Sequence, residues 1–137
     1  MSVGATIRIA AAVIVRDDGR TLLVRKRGTE AFMQAGGKIG DGEGAIAALL
    51  REIGEELGCD LAGAPRALGR FRAPAANEPG RMVEAELFAV TLAGEVRPAA
   101  EIEDAIWHDP HDAESIVLAP LTRDYALPLA RGLGRRI

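Results

Sequence analysis

Apolar residues occur in short runs along the chain, and their spacing predicts where strands begin and end. Residues 7–15 are rich in β-branched and small apolar side chains, a pattern that predicts a buried strand. A turn is predicted at Asp17-Asp18-Gly19, and residues 21–25 then predict a returning strand. We therefore expect an antiparallel hairpin at the start of the fold.

The next segment combines a glycine-rich stretch with an amphipathic helix. Residues 36–42 contain four glycines, which predicts an irregular loop. Asp41 is the predicted N-cap of the helix, Glu43 is expected in its first turn, and Gly58 is the predicted stop. Apolar residues at helical spacing predict one stripe that faces the core: Ile46, Leu49, Leu50, Ile53 and Leu57.

The second half of the chain alternates strands with turn-forming segments. Further strands are predicted at residues 66–72, 82–90 and 104–108, and a closing helix at residues 121–133. The loop at residues 74–80 joins the first two of these strands, and Pro128 is expected to kink or delay the helix. This order predicts an α+β fold in which a mixed β-sheet is flanked by helices.

Composition narrows the class of protein. The 137 residues suit a single domain over residues 1–137, and 17 basic against 20 acidic residues give a net charge of −3. That balance provides no basic surface for duplex nucleic acid or an anionic membrane. Cys59 is the single cysteine, so no internal disulfide is possible, and no apolar run approaches the ~20 residues of a membrane span. Because residues 1–12 also lack a signal-peptide pattern, we expect a cytoplasmic protein, and a homodimer stays open.

Three carboxylates share one arc of the first helix. Glu52, Glu55 and Glu56 lie at positions i, i+3 and i+4, which places them within about 100° of one another around the axis. Like charges at this spacing cost about a few tenths of a kcal/mol each. Such a cluster is either a solvated acidic face or a site for a hard cation such as Mg²⁺ or Mn²⁺.

The sequence around these carboxylates favours the second interpretation. The segment from Gly37 to Cys59 resembles the Nudix box, whose pattern is Gly, five residues, Glu, seven residues, then Arg-Glu-aliphatic-x-Glu-Glu-x-Gly-aliphatic. All seven fixed letters match: Gly37, Glu43, Arg51, Glu52, Glu55, Glu56 and Gly58. The resemblance implies a Nudix-type α/β/α sandwich and a metal-dependent enzyme.

The resemblance also implies roles for the box residues. In Nudix enzymes the box is a loop and helix that hold Mg²⁺, or Mn²⁺ as a substitute, against a diphosphate. Carried over by motif position, Glu52, Glu55 and Glu56 would be the catalytic carboxylates and metal ligands, with the Gly37 carbonyl as a further ligand. The two remaining charged box residues, Glu43 and Arg51, are expected to form a structural brace.

Residues outside the box are weaker candidates, and each has an alternative as surface charge. Contacts to substrate phosphate could come from several cations: Arg25, Lys26, Arg27, Lys38, Arg72 and Arg81. The acidic loop at residues 98–104 suggests Glu101 as general base, with Glu103 as the fallback. Glu52 on the helix is the competing candidate for this base.

The expected activity is hydrolysis of a nucleoside diphosphate linked to another moiety, by metal-activated water. The short chain favours a nucleoside triphosphate as substrate. An ADP-ribose or ADP-sugar pyrophosphatase is the alternative enzyme, and a Nudix-fold module that binds nucleotide without cutting it is the alternative class. All the box glutamates are present, which argues against the module.

Overall fold

The computed structural model describes residues 6–133, and their elements follow an α+β order. The strands are β1 (Ile7–Val13), β2 (Thr21–Lys26), β3 (Phe32–Met33), β4 (Gly36–Lys38), β5 (Asp60–Leu61), β6 (Arg66–Pro74), β7 (Met82–Ala89), β8 (Leu92–Ala93) and β9 (Ile102–His108). The helices are α1 (Ala45–Leu57) and α2 (Leu127–Leu133). A wide π-helical turn, Thr122–Ala126, leads directly into α2. Within residues 6–133 no helix is both long and apolar enough to cross a membrane.

The strands form a mixed sheet and two smaller antiparallel ladders. The main sheet has the order β4-β1-β7-β6, in which β1 runs parallel to β7 and antiparallel to β4. A second sheet has the order β3-β2-β9, and β5 pairs with β8. The mixed sheet expected from the sequence is therefore confirmed.

Strand β1 lies at the centre of the core because both of its faces are covered. Alternate residues point to opposite faces of a strand. Ala10 and Ala12 pack towards α1 in one apolar cluster, whereas Ala11 and Val13 pack towards the π turn and α2 in another. Two helices on opposite faces of the main sheet give the α/β/α sandwich, and they explain why residues 9–13 of β1 are apolar without interruption.

The predicted hairpin is wrong beyond its turn. The chain does reverse at residues 17–19, and Val15 and Thr21 form one isolated antiparallel bridge. After that bridge the strands diverge into different sheets. The reason is that β1 already has β4 and β7 along its two edges, so it has no edge left for β2.

The predicted glycine-rich loop and the helix start also need correction. Residues 36–38 are not irregular, because they pair with β1 as strand β4. Helix α1 begins after Gly44 rather than Asp41, and Glu43 lies before its first turn. The stop at Gly58 is confirmed, since this residue takes φ 64° and its N–H donates to the Gly54 carbonyl.

The apolar stripe of α1 is narrower than predicted. Ala48, Leu49, Ile53 and Leu57 are fully buried. Ile46 and Leu50 are 46% and 47% exposed, so they lie at the margin of the contact with the sheet. The predicted stripe was too wide because the prediction assumed that the sheet covers every apolar residue at helical spacing.

The predicted strands of the second half are confirmed within two residues, while the short strands β3, β5 and β8 were not predicted. The closing helix is also confirmed, with an irregularity ahead of Pro128. Because proline has no N–H and its ring crowds the preceding turn, a regular α-helical turn is disfavoured there. The N–H of Leu127 donates instead to the Thr122 carbonyl, which is five residues earlier.

Candidate active site

The box residues come together where β4 crosses α1. Gly37 lies against Glu52, so closely that a Cβ on Gly37 would be 2.4 Å from the Glu52 carboxyl carbon. Only glycine fits such an approach without a shift of the helix or the strand. The contact holds the Glu52 carboxylate beside the backbone of β4.

The Glu56 carboxyl is buried at the same junction. Its side chain is 5% exposed, and Oε1 accepts a hydrogen bond of 3.1 Å from the Gly36 N–H. Burial raises the pKa of Glu56 to about 7, and the nearby charges of Glu52 and Glu101 act in the same direction. The Gly36 hydrogen bond and the Lys26 charge lower this pKa but do not cancel the effect of burial. Glu56 therefore needs a cation or a proton for a stable buried state.

Arg51 connects the box loop to the helix carboxylates. Its guanidinium donates to both Glu43 oxygens at 2.9 Å, to the Lys38 carbonyl at 3.0 Å and to Glu52 Oε2 at 2.7 Å. The Arg51 hydrogen bonds, together with the Gly40 N–H, lower the pKa of Glu43 to about 2. The geometry is that of the brace expected between Glu43 and Arg51.

Glu55 lies farther out on the same helix. Its side chain is 54% exposed, and its carboxylate is 3.4 Å from the Arg51 guanidinium. The Glu52 side chain, in contrast, is 18% exposed. Glu52 and Glu56 are therefore the two carboxylates held against β4, and Glu55 lies at the rim.

The predicted acidic loop at residues 98–104 ends earlier, because residues 102–104 already belong to β9. The remaining loop, residues 98–101, is tied to the C-terminal end of α1. The Ala99 N–H donates to the Glu56 carbonyl at 2.9 Å, and the Glu101 carbonyl accepts from the Arg27 N–H at 2.7 Å. These bonds bring Glu101 near enough for its charge to act on Glu56. Glu103 instead forms an ion pair with Arg27 at 3.3 Å.

A cleft of about 150 Å³ adjoins the opposite face of β4. We call it the box cleft, and its lining includes Ile9, Gln34, Lys38, Thr122, Lys26 and the loop at residues 74–78. Lys38 is exposed, and its Nζ lies 3.9 Å from a Glu78 oxygen. Lys26 has no ion pair within residues 6–133. The cleft thus carries cations beside the box strand and apolar side chains beneath them.

Four of the predicted phosphate contacts do not line this cleft. Arg25 is bound to Asp104 and donates to the Thr29 carbonyl at 2.8 Å. Arg27 pairs with Glu103, as described above. The two arginines that flank the 74–80 loop also lie off the cleft lining: the Arg72 guanidinium reaches the Thr6 hydroxyl at 3.5 Å, and Arg81 is 3.5 Å from Glu78.

A second cavity, of about 420 Å³, lies away from the box. It is lined by residues 18–20, residues 109–111 and Arg131. These residues lie near the start of β2 and the end of β9, whereas Lys26 is at the opposite end of β2. Size alone therefore does not identify the active site, because no residue of the box lines this larger cavity, whereas Gly37 and Lys38 line the box cleft.

The donor chemistry of the junction fits a small hard cation. Glu52, Glu56 and the Gly37 carbonyl supply oxygen, which Mg²⁺ and Mn²⁺ prefer. Within residues 6–133 no three or more His, Cys, Asp or Glu side chains are grouped to hold a metal ion. Mg²⁺ commonly binds through one or two carboxylates together with substrate phosphates rather than in an all-protein cage. Two inward carboxylates therefore suffice for a site completed by a phosphorylated substrate.

Comparisons with known proteins identify the family. The family model for the NUDIX domain matches residues 6–130, so the chain belongs to the Nudix family. The comparisons support a pyrophosphohydrolase enzyme. No curated protein sequence matches the chain.

Solved structures with the same fold agree with this assignment. A MutT NUDIX hydrolase from Burkholderia pseudomallei is 25% identical, with 94% of this chain and 98% of that one covered and a TM-score of 0.73. The E. coli ORF135 protein is 26% identical, with 93% and 88% covered and a TM-score of 0.68. An ADP-ribose pyrophosphatase from Streptococcus suis is 21% identical, with 96% and 94% covered and a TM-score of 0.67, which shows the fold alone.

The sequence did not predict two buried polar residues of the box cleft, Gln34 and Thr122. Gln34 is 5% exposed, and the Thr122 hydroxyl donates to its Oε1 at 2.7 Å. Neither residue belongs to a recognisable motif, and they are 88 positions apart. A polar residue two positions before the predicted glycine-rich segment was the one available signal for Gln34.

The raised pKa of Glu56 predicts a pH-dependent stability of the metal-free protein. A carboxyl that titrates near 4.5 in the unfolded chain and near 7 in the fold stabilises the fold below pH 4.5. This contribution, at most roughly 3 kcal/mol, is lost as the pH rises through 7. Glu56→Gln should therefore melt at a higher temperature than the wild type at pH 8 in EDTA, with a smaller difference at pH 5.

Thermal unfolding of both proteins between pH 5 and pH 8 in EDTA measures this effect. Glu55→Gln, on the exposed side of the same helix, is the matched control and should run parallel to the wild type. Parallel curves for Glu56→Gln and the wild type would show that Glu56 is not a destabilising buried charge.

Proposed function

We propose that this chain is a Mg²⁺-dependent hydrolase that cuts the diphosphate linkage of a nucleoside diphosphate joined to another moiety. The observation that carries the proposal is the junction of β4 and α1. There Glu52 lies against Gly37 and Glu56 accepts from the Gly36 N–H, so two carboxylates converge on one strand. Mn²⁺ is the expected substitute for Mg²⁺.

The assignment of ligands follows from burial and contact. Glu52 and Glu56 would hold the metal together with the Gly37 carbonyl, and Glu55 would act from the rim. When bound, the metal would neutralise phosphate charge and lower the pKa of a water molecule. Burial of Glu56 favours this role, because a cation offsets the cost of a buried carboxylate.

The cations of the box cleft would bind the phosphates. Lys26 lines the cleft without an ion pair in the described chain, and its charge acts on Glu56. Lys38 lies on β4, and its Nζ is 3.9 Å from a Glu78 oxygen. Both ammonium groups would orient a diphosphate along β4, an edge strand of the main sheet, so that its phosphates reach around that edge to the carboxylates of α1 on the other face.

A nucleoside triphosphate is the first candidate substrate. An ADP-ribose or ADP-sugar is the second, and the Streptococcus suis neighbour with that activity has the same fold. A module that binds nucleotide without cutting it is the third candidate. The inward placement of Glu52 and Glu56 favours an enzyme. The cytoplasmic location and any homodimer remain predictions.

The activity is tested with a substrate panel. The purified protein is incubated with nucleoside triphosphates, ADP-ribose and nucleotide sugars, with Mg²⁺ or with EDTA. We expect at least one substrate to give a nucleoside monophosphate with Mg²⁺ and none to be cut in EDTA. Glu56→Gln should lower kcat by roughly 10²–10⁴-fold, because it removes a metal ligand or acid–base group.

Two outcomes contradict this proposal. Full hydrolysis in chelator would exclude the metal-dependent chemistry. Binding of nucleotides without turnover of any of them would favour the module instead. Circular dichroism of Glu56→Gln separates a lost ligand from a lost fold.

We place the general base on the loop at residues 98–101, directly before β9. Glu52 is poorly suited because its carboxylate would bind the metal and already accepts from Arg51. Within residues 6–133 the Glu101 side chain has no ion pair, whereas Glu103 is bound to Arg27. Ala100 takes φ 55°, an uncommon conformation for a non-glycine residue, and its turn directly precedes Glu101. Glu101 is therefore the better candidate to accept a proton from water.

Paired substitutions test this assignment. Glu101→Gln should lower kcat by about 10²-fold or more, as loss of a general base does. Glu103→Gln is the matched control, two residues away, and should change kcat by less than about twofold. Equal effects of the two substitutions, or a loss confined to Glu52→Gln, would place the base elsewhere.

A further inference from the structure

Gln34 is a buried polar side chain of the box cleft that phosphate binding does not use. Gln34 is 95% buried, with 5% of its surface exposed, among the residues that line the cleft. Its Oε1 accepts a 2.7 Å hydrogen bond from the Thr122 hydroxyl. Its Nε2 has no hydrogen-bond partner within residues 6–133.

The fold fixes the position of this amide from two sides. The Ala12 N–H donates to the Ala35 carbonyl at 2.9 Å, so the pairing of β1 continues past β4 to the residue beside Gln34. Phe32 bridges Leu118, which brings the segment before the π turn against β3. The Gln34 side chain is therefore held between the main sheet and Thr122.

An amide donor in such surroundings is costly when it has no acceptor. Buried polar groups in proteins are hydrogen-bonded in the large majority of cases, and exceptions often mark a functional position. Because Thr122 engages Oε1, Nε2 is the atom of this side chain that remains to be satisfied. A bound molecule that offers an acceptor would satisfy it.

The position of Gln34 relative to the cations indicates which part of a substrate it meets. Alternation along the strand places Gln34, Gly36 and Lys38 on one face, the face that also carries Ile9 and Ala11. Lys38 is at the phosphate-binding side in the proposed function. Beyond it the floor is apolar, which suits a flat heterocycle rather than a second charged group.

We propose that Gln34 selects the base of the substrate by donating from Nε2 to a ring carbonyl, so that oxo bases are cut in preference to amino bases. This proposal rests on the proposed function, because it assigns the specificity of the same site. Thr122 is the positioning residue, since its hydroxyl holds Oε1 and leaves Nε2 towards an occupant.

The preference for oxo bases follows from the hydrogen-bond donors and acceptors that meet at Gln34. A base carbonyl supplies the acceptor that Nε2 lacks. An exocyclic amino group at the same place is a second donor, and it would face an amide whose oxygen is already engaged by Thr122. Sites built around a hydrogen bond reject analogues that leave a buried group unpaired.

The test compares two nucleotides that differ at one edge of the base. With Mg²⁺ present, kcat/KM is measured for the inosine form and for the adenosine form of one substrate type. That type is a triphosphate or a diphosphate sugar, whichever the wild type cuts. We expect the wild type to favour the inosine form by about tenfold or more. Gln34→Met keeps the length of the side chain and removes the amide, and it should bring the ratio to within about threefold of unity.

The ratio is the informative quantity, because a damaged fold would reduce turnover of both nucleotides alike. Asn77→Ala removes an exposed amide from the rim of the same cleft and should keep the preference for the inosine form. A wild-type preference for the adenosine form, or a ratio that survives Gln34→Met, would overturn the proposal while the hydrolase activity stands. Absence of turnover for every nucleotide would overturn the proposed function itself, and this inference with it.

Discussion

The close approach of β4 to α1 is the contact on which the candidate site depends. A glycine at position 37 lets the helix lie so near the strand that the Glu52 carboxylate touches the strand backbone. The same proximity lets the Gly36 N–H reach Glu56 across the junction. Arg51 then ties the outer end of the junction together through Glu43 and the Lys38 carbonyl. If the helix moved outward, both carboxylates would lose their fixed position relative to the cleft.

This arrangement lowers the stability of the ligand-free protein and leaves polar groups that a ligand can satisfy. A carboxyl with a pKa near 7 is poorly solvated, and its ionised form weakens the fold at neutral pH. Gln34 carries a similar cost as a buried donor without a partner in the described chain. Both residues border the same strand, and both would be satisfied by a ligand. Positions at which a fold keeps such destabilising groups are commonly binding or catalytic sites.

The spacing of residues along the chain predicted the Nudix box. The pairing of strands that are distant in the sequence could not be predicted in this way. Spacing along one helix is a local property, so Glu52, Glu55 and Glu56 could be placed on one arc before the structure was known. The partner of each strand is not local, and the predicted hairpin therefore failed once β4 and β7 occupied both edges of β1.

The strand-end cations show the same limit at the level of single residues. Three adjacent cations lie at and just after the end of β2, and the sequence gives no reason to separate Lys26 from Arg25 and Arg27. A β-bulge between Arg25 and Lys26 changes the register with β9, and Arg25 then pairs with Asp104 while Lys26 lines the cleft. Contacts between distant segments, including that of Gln34 with Thr122, are set by the fold and leave no periodic signal.

We expect a divalent cation to bind where β4 meets α1, and paramagnetic broadening by Mn²⁺ locates such a cation residue by residue. Uniformly ¹⁵N-labelled protein is titrated with Mn²⁺ in the presence of inorganic pyrophosphate, and amide signals are followed. We predict that the amides of Gly36, Gly37 and residues 52–56 broaden first, and that the Glu52→Gln, Glu56→Gln double variant loses this effect. Broadening centred on the acidic turn at Asp109 and Asp112, with the box amides unaffected, would contradict it.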